Sequence, residues 1–99
     1  MKYKVELRKE AQSDIIEAIE WYEKRRAGLG DEFFIAIANE KHFIEKNPYY
    51  FEDKYKGIRK AITQRFPYII YYKIESKSTV LIYAVLHMKR GAMTWKRIV

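Results

Sequence analysis

A change in hydrophobic period partway along the chain restricts its fold more than any other feature. From about Glu10, apolar residues recur at steps of three and four (Ala11, Ile15, Ala18, Ile19 and Tyr22), the spacing of a helix with one buried stripe. Asp14, Glu17, Glu20 and Glu23 lie mostly off that stripe, and Lys24, Arg25 and Arg26 gather at its C-terminal end, where the helix dipole favours cations. Gly28 and Gly30 break the helix. A second helix is expected from about Asp31 to Lys46, with Phe33, Phe34, Ile37, Phe43 and Ile44 as its apolar side and Asn47-Pro48 as its stop. So short a link makes the pair an antiparallel hairpin.

After Gly57 the helical spacing is gone. Ile58–Gln64, Tyr68–Glu75 and Thr79–His87 have strand chemistry and are separated by Pro67 and by Ser76-Lys77-Ser78. Three such runs with short links predict an antiparallel meander. Lys2 to Leu7 alternates and reads as a first strand, whereas Tyr49 to Gly57 lacks a clear period and reads as a loop. The expected order is β-α-α-β-β-β. This is an α+β fold in which an N-terminal strand and a helical hairpin pack on an antiparallel sheet, with 1–99 as one domain and 91–99 as a basic C-terminal tail.

The net charge of +7 is unevenly placed. Residues 1–57 hold 11 Lys/Arg against 12 Asp/Glu, a net of −1, while residues 58–99 hold 9 against the single acid Glu75, a net of +8. A one-sign field attracts polyanions, which points to nucleic acid phosphates or an acidic protein segment. There is no Cys and there are two separated His, so no disulfide framework and no recognised metal-ligand spacing is available. No cofactor is expected either, since no glycine-rich phosphate loop or nucleophile elbow is present. The first ten residues carry no apolar run of signal-peptide length, and no stretch approaches a membrane span. A cytoplasmic protein without membrane contact is expected. An RNA-recognition-motif domain would also be small, basic and aromatic, but its strand order and motif differ.

Four local signatures, in order, resemble the RelE/ParE toxin superfamily, whose members include plasmid stabilization proteins. They are Ala11 with Asp14-Ile15, Ile19 and Tyr22; Asn47-Pro48 followed by a loop and Ile58-Arg59; Phe66-Pro67-Tyr68-Ile69-Ile70-Tyr71-Tyr72; and Val85-Leu86-His87-Met88-Lys89-Arg90. The resemblance implies the toxin of a type II toxin–antitoxin pair, with a cognate antitoxin as partner. Within the superfamily, RelE-like members cut messenger RNA on the ribosome and ParE-like members act on DNA gyrase; fold alone does not choose between them.

Cleavage of RNA needs a base for the 2′-hydroxyl, cations for the charged intermediate and an acid for the leaving oxygen. Arg59, Arg65, His87 and Arg90 are the catalytic candidates under that reading. The set departs from the cleaving members at two places: Ile69 stands where an Arg is expected, and the tail offers Trp95 in place of a Tyr. The Pro67-Tyr68 and His87-x-x-Arg90 elements are nearer the ParE-like branch, which implies inhibition of gyrase by protein contact. Under that reading Arg59, Tyr71, Tyr83, His87, Arg90 and Trp95 are the partner-binding candidates, and Arg59 pins its strand through a hydrogen bond to a carboxylate or carbonyl. Aromatics beside cations suit base stacking or a protein hot spot; ordinary sheet packing is the plainer account of each tyrosine, and a structural role that of His87. A non-toxic relic that only grips an antitoxin is the third possibility. All of these readings rest on a positively charged sheet rim left open by the helices.

Overall fold

The structure is a computed structural model and describes residues 2–63 and 65–90. Burial of one stripe per helix sets its plan. Helix α1 (Lys9–Arg25) buries Ala11, Ala18 and Tyr22, with Ile15 and Ile19 packed against them. Helix α2 (Leu29–Lys46) buries Gly30, Phe33, Ile37 and Ile44. Its apolar side is narrower than expected. Phe34 is 53% exposed, because it lies one residue, about 100° of helix, from Phe33. Phe43 is also exposed and leans on the rings of Tyr50 and Phe51.

The turn between the helices is closed by a side chain. Glu23, near the end of α1, accepts backbone N–H bonds from Gly28 (3.0 Å) and Gly30 (3.0 Å), covering two of the donors left open at the start of α2. These bonds hold its carboxyl below the ordinary range. Gly28 has φ +89°, a conformation that glycine adopts without strain. Gly30 instead permits close packing. A Cβ there would meet the Ile19 carbonyl oxygen at 2.8 Å, so the two helices touch backbone to backbone.

Five strands form one mixed sheet: β1 (Lys4–Leu7), β2 (Asp53–Tyr55), β3 (Ile58–Ile62), β4 (Tyr68–Ile74) and β5 (Thr79–His87), in the order β1-β5-β4-β3-β2. The expected meander is present in β3-β4-β5. Two features correct the expectation. The sheet is not wholly antiparallel, since β1 runs parallel to β5 through Lys4↔Thr79 to Leu7↔Ile82. Asp53–Tyr55, expected as loop, is a fourth strand after the helices, joined to β3 by Lys56 and Gly57. Both linking residues have positive φ (46° and 84°), the condition for a two-residue hairpin turn, and Asp53 accepts the Gly57 N–H at 3.0 Å.

The helical hairpin covers one sheet face, where Ala61, Tyr68, Ile70, Tyr72, Val80, Ile82 and Val85 meet α1 and α2. Tyr22, Phe33, Phe66 and Tyr68 form its aromatic centre, with Phe33–Tyr68 and Tyr22–Phe66 in edge contact at 4.8 and 4.9 Å, arrangements worth roughly 0.5–1.5 kcal/mol each beyond their buried area. A second buried cluster of Ile58, Ile69, Tyr71, Ala84 and Leu86 lies on the other face. A bulge joins the two patterns. Tyr71 pairs with Ala84 but Tyr72 pairs with Ile82, leaving Tyr83 as the extra residue and shifting the inward-facing positions of β5 from Val80 and Ile82 to Val85.

Candidate functional site

The Pro-Tyr element is a rigid corner at one end of the sheet. The backbone N–H of Thr63 donates to the Tyr68 carbonyl (3.0 Å), and the Thr63 hydroxyl donates to the carbonyls of Phe66 and Tyr68. The Pro67 carbonyl accepts from Met88 N–H at 2.8 Å, which fixes where the chain leaves β5 and enters the short 3-10 turn Met88–Arg90. Tyr68 and His87 are cross-strand partners, their rings edge to face at 5.4 Å. His87 Nδ1 accepts the Lys89 backbone N–H at 3.2 Å, so this histidine holds the exit turn.

Beside this corner, α1 and the end of β5 enclose a pocket of about 240 Å³ lined by Asp14, Glu17, Ala18, Trp21, Tyr68, Val85, Leu86 and His87. Asp14 Oδ2 accepts the Val85 N–H at 2.9 Å. Strand β1 reaches along β5 only as far as Ile82, so a carboxylate takes over the edge where the neighbouring strand stops. Sequence reasoning places Asp14 and Glu17 off the buried stripe and gives them no role. One signal is available: Asp14, Ala18 and Trp21 follow steps of four and three and so share one ridge of the helix.

The other candidates do not gather here. Arg59 pairs with Tyr72 across β3 and β4, whereas His87 pairs with Tyr68, four residues away and so about 13 Å along the strand. Arg59 is half-buried, donates from Nη1 to the Phe51 carbonyl and lies 5.1 Å from the Tyr49 ring. It thus holds the turn after α2, whereas the sequence suggests that it pins its own strand to the sheet rim. The Tyr72 hydroxyl anchors the same turn by donating to the Pro48 carbonyl at 2.7 Å, and burial pushes its pKa up to about 12. Arg65 is bound to Glu32, which also takes Arg26 at 3.3 Å. The Arg65 guanidinium lowers the Glu32 carboxyl below its ordinary range. The single catalytic cluster expected of Arg59, Arg65 and His87 is therefore not formed: strand register sets Arg59 away from His87, and Arg65, in the link between β3 and β4, is turned to Glu32.

Tyr71 also departs from expectation. Its side chain is fully buried in the second cluster, with Lys60 Nζ 5.7 Å from its ring centre, and it is no exposed contact residue. Tyr83 is half-buried, flanked by the Arg8 guanidinium at 4.9 Å and Lys73 Nζ at 5.8 Å. The backbone of Arg90 closes the 3-10 turn; its side chain, Trp95 and the rest of the basic tail lie outside what the structure describes. Among the described residues, the cations expected to form an open basic rim stand at separated positions: Arg8 and Lys73 about Tyr83, Arg65 at Glu32 and Arg59 inside its turn. Among the described residues no group of His, Asp or Glu is placed to hold a metal ion, and no helix is long and apolar enough to cross a membrane.

The comparisons with known proteins agree with this architecture. A search of curated proteins found no significant match. Among solved structures the chain is similar to one described as the chromosomal ParDE TA system from P. aeruginosa, with a TM-score of 0.65 and 11% identity over 87% of this chain and 96% of that one. At that identity the likeness shows the fold. The family model for the ParE toxin of the type II toxin–antitoxin system parDE matches residues 5–91, a span running from β1 through the Pro-Tyr corner and the His87 exit turn. The chain thus belongs to the ParE toxin family of type II toxin–antitoxin systems.

Proposed function

We propose that this toxin inhibits DNA gyrase by protein–protein contact and is neutralised by a cognate antitoxin. The observation that carries the reading is the separation of two nucleolytic candidates, Arg59 and His87. General acid–base cleavage needs its groups within hydrogen-bond reach of one reacting phosphate, yet Arg59 and His87 stand about 13 Å apart along the sheet, and Arg59 and Arg65 are bound to Phe51 and Glu32. A contact inhibitor has no such requirement, because binding surfaces work through separated anchors. The net charge of +8 over residues 58–99 suits capture of an acidic antitoxin segment that folds on the toxin.

The test is a pair of assays on the purified chain. Gyrase supercoiling should fall as toxin is added, while messenger RNA in a translating extract stays intact. Transcript cutting within codons with gyrase unaffected would replace this reading by the mRNA endonuclease. Activity in neither assay, with growth unaffected by strong expression, would identify a relic that only binds its antitoxin.

A further inference from the structure

The pocket beside His87 is not used by the reading above, and its chemistry is at odds with the rest of the molecule. In a chain of net charge +7, its walls carry two carboxylates, Asp14 and Glu17, and three aromatic rings, Trp21, Tyr68 and His87, over a floor of Ala18, Val85 and Leu86. We propose that this pocket receives a single cationic side chain, an arginine or lysine, from the protein partner that neutralises the toxin. The proposal rests on the toxin–antitoxin reading for the identity of the partner, but not for the chemistry of the site.

Three observations narrow the occupant. At about 240 Å³ the pocket lies below the roughly 300–1,000 Å³ usual for small-molecule sites, so it suits one side chain better than a nucleotide. The wall chemistry selects charge. A cation is drawn to the faces of aromatic rings and to carboxylates together, and Glu17 makes no ion pair with any described residue. Trp21 already shows that preference, since the Arg25 guanidinium lies 4.0 Å from its ring centre while half of the side chain remains exposed.

The strand edge decides how the occupant enters. Beyond Ile82 the edge of β5 is no longer covered by β1, and Asp14 holds the Val85 N–H. A carboxylate in that place blocks pairing by an incoming strand. The ligand therefore inserts a side chain past Asp14 without adding a strand at Val85. A partner that is acidic overall is steered by the basic half of the toxin, and one basic residue within it supplies the register, because a charge that fits only one pocket penalises every other alignment.

The probe is N-acetyl-arginine amide, titrated into the purified chain while amide and indole resonances are followed, with N-acetyl-glutamine amide as the uncharged control. The arginine probe should shift Glu17, Trp21 and His87 saturably with a Kd on the order of 1–10 mM, as expected for so small a ligand. The glutamine control should bind several-fold more weakly. Glu17→Gln, at an exposed position that does not disturb folding, should weaken the arginine probe about threefold, the scale of an exposed ion pair. Equal response to both probes, shifts centred away from the pocket, or a Glu17→Gln chain that binds as before would overturn the proposal. None of these readings uses gyrase or an antitoxin, so a failure of the pocket and a failure of the toxin reading are separately visible.

Discussion

Replacing Tyr72 by phenylalanine removes one oxygen from the centre of the fold and changes little else. The ring is fully buried between the sheet and the helices, and its hydroxyl donates to the Pro48 carbonyl at 2.7 Å. Phenylalanine fills the same space, so no cavity term enters. The loss is that of one neutral hydrogen bond plus a buried carbonyl deprived of its donor, about 1–2 kcal/mol. For a domain of this size each kcal/mol moves the midpoint by roughly 4–8 °C, so Tyr72→Phe should melt about 5–15 °C below the parent at pH 7 by circular dichroism.

The pH dependence gives a separate reading, of the burial of the same hydroxyl. Burial raises the Tyr72 pKa from 10.0 to about 12 in the folded chain. The stability linked to its neutral form is complete below pH 10, and it is lost as pH rises toward 12, because the unfolded phenol ionises first. The phenylalanine chain has no such loss. The gap between parent and variant should therefore narrow above pH 10 in denaturant titrations. A melting point within about 2 °C of the parent at pH 7 would refute the account of Tyr72 as the anchor of the Pro48 turn, and a gap constant across the alkaline range would refute the account of its hydroxyl as held neutral by burial.

Other substitutions test the remaining links. Gly30→Ala sets helix propensity, a gain of up to about 1 kcal/mol, against a Cβ placed 2.8 Å from the Ile19 carbonyl; since backbone yields poorly, a net loss of about 1–3 kcal/mol should appear in urea midpoints. Arg59→Ala should destabilise the chain by about 1.5–3 kcal/mol, because a charged donor to the Phe51 carbonyl is removed; an unchanged melt together with lost toxicity would show that Arg59 is a contact residue instead. Glu32→Gln should flatten the acid limb of the stability profile. Arg65 holds the Glu32 carboxyl below its usual 4.5, so the parent keeps this contribution above that pH and loses it as pH falls through the lowered value; identical acid profiles would show that the Glu32–Arg65 pair does not persist in solution.

Periodicity is enough to place both helices, the β3-β4-β5 meander and the Pro-Tyr corner, because each depends on residues that neighbour one another in the chain. Ala11, Ala18 and Tyr22 have to share a face, and Pro67 has to interrupt a strand. The hairpin at Lys56-Gly57 is not legible in the same way, since Lys at a positive φ lacks the Asn-Gly or Asp-Gly signal. The width of the α2 face is hidden for a related reason: a run of apolar residues does not say which of two adjacent ones, Phe33 or Phe34, meets the sheet.

What only the tertiary structure decided is the pairing of distant segments. The parallel docking of β1 on β5 depends on residues brought together from opposite ends of the chain, and the bulge at Tyr83 on which face each part of the β4-β5 hairpin buries. Asp14 meets Val85 across 71 positions, a distance at which no local pattern carries information. The separation of Arg59 from His87 has the same origin. Their residue types allow one catalytic set, but strand register and the bond to Phe51 hold Arg59 away from His87, and register is fixed by what each sheet face must bury.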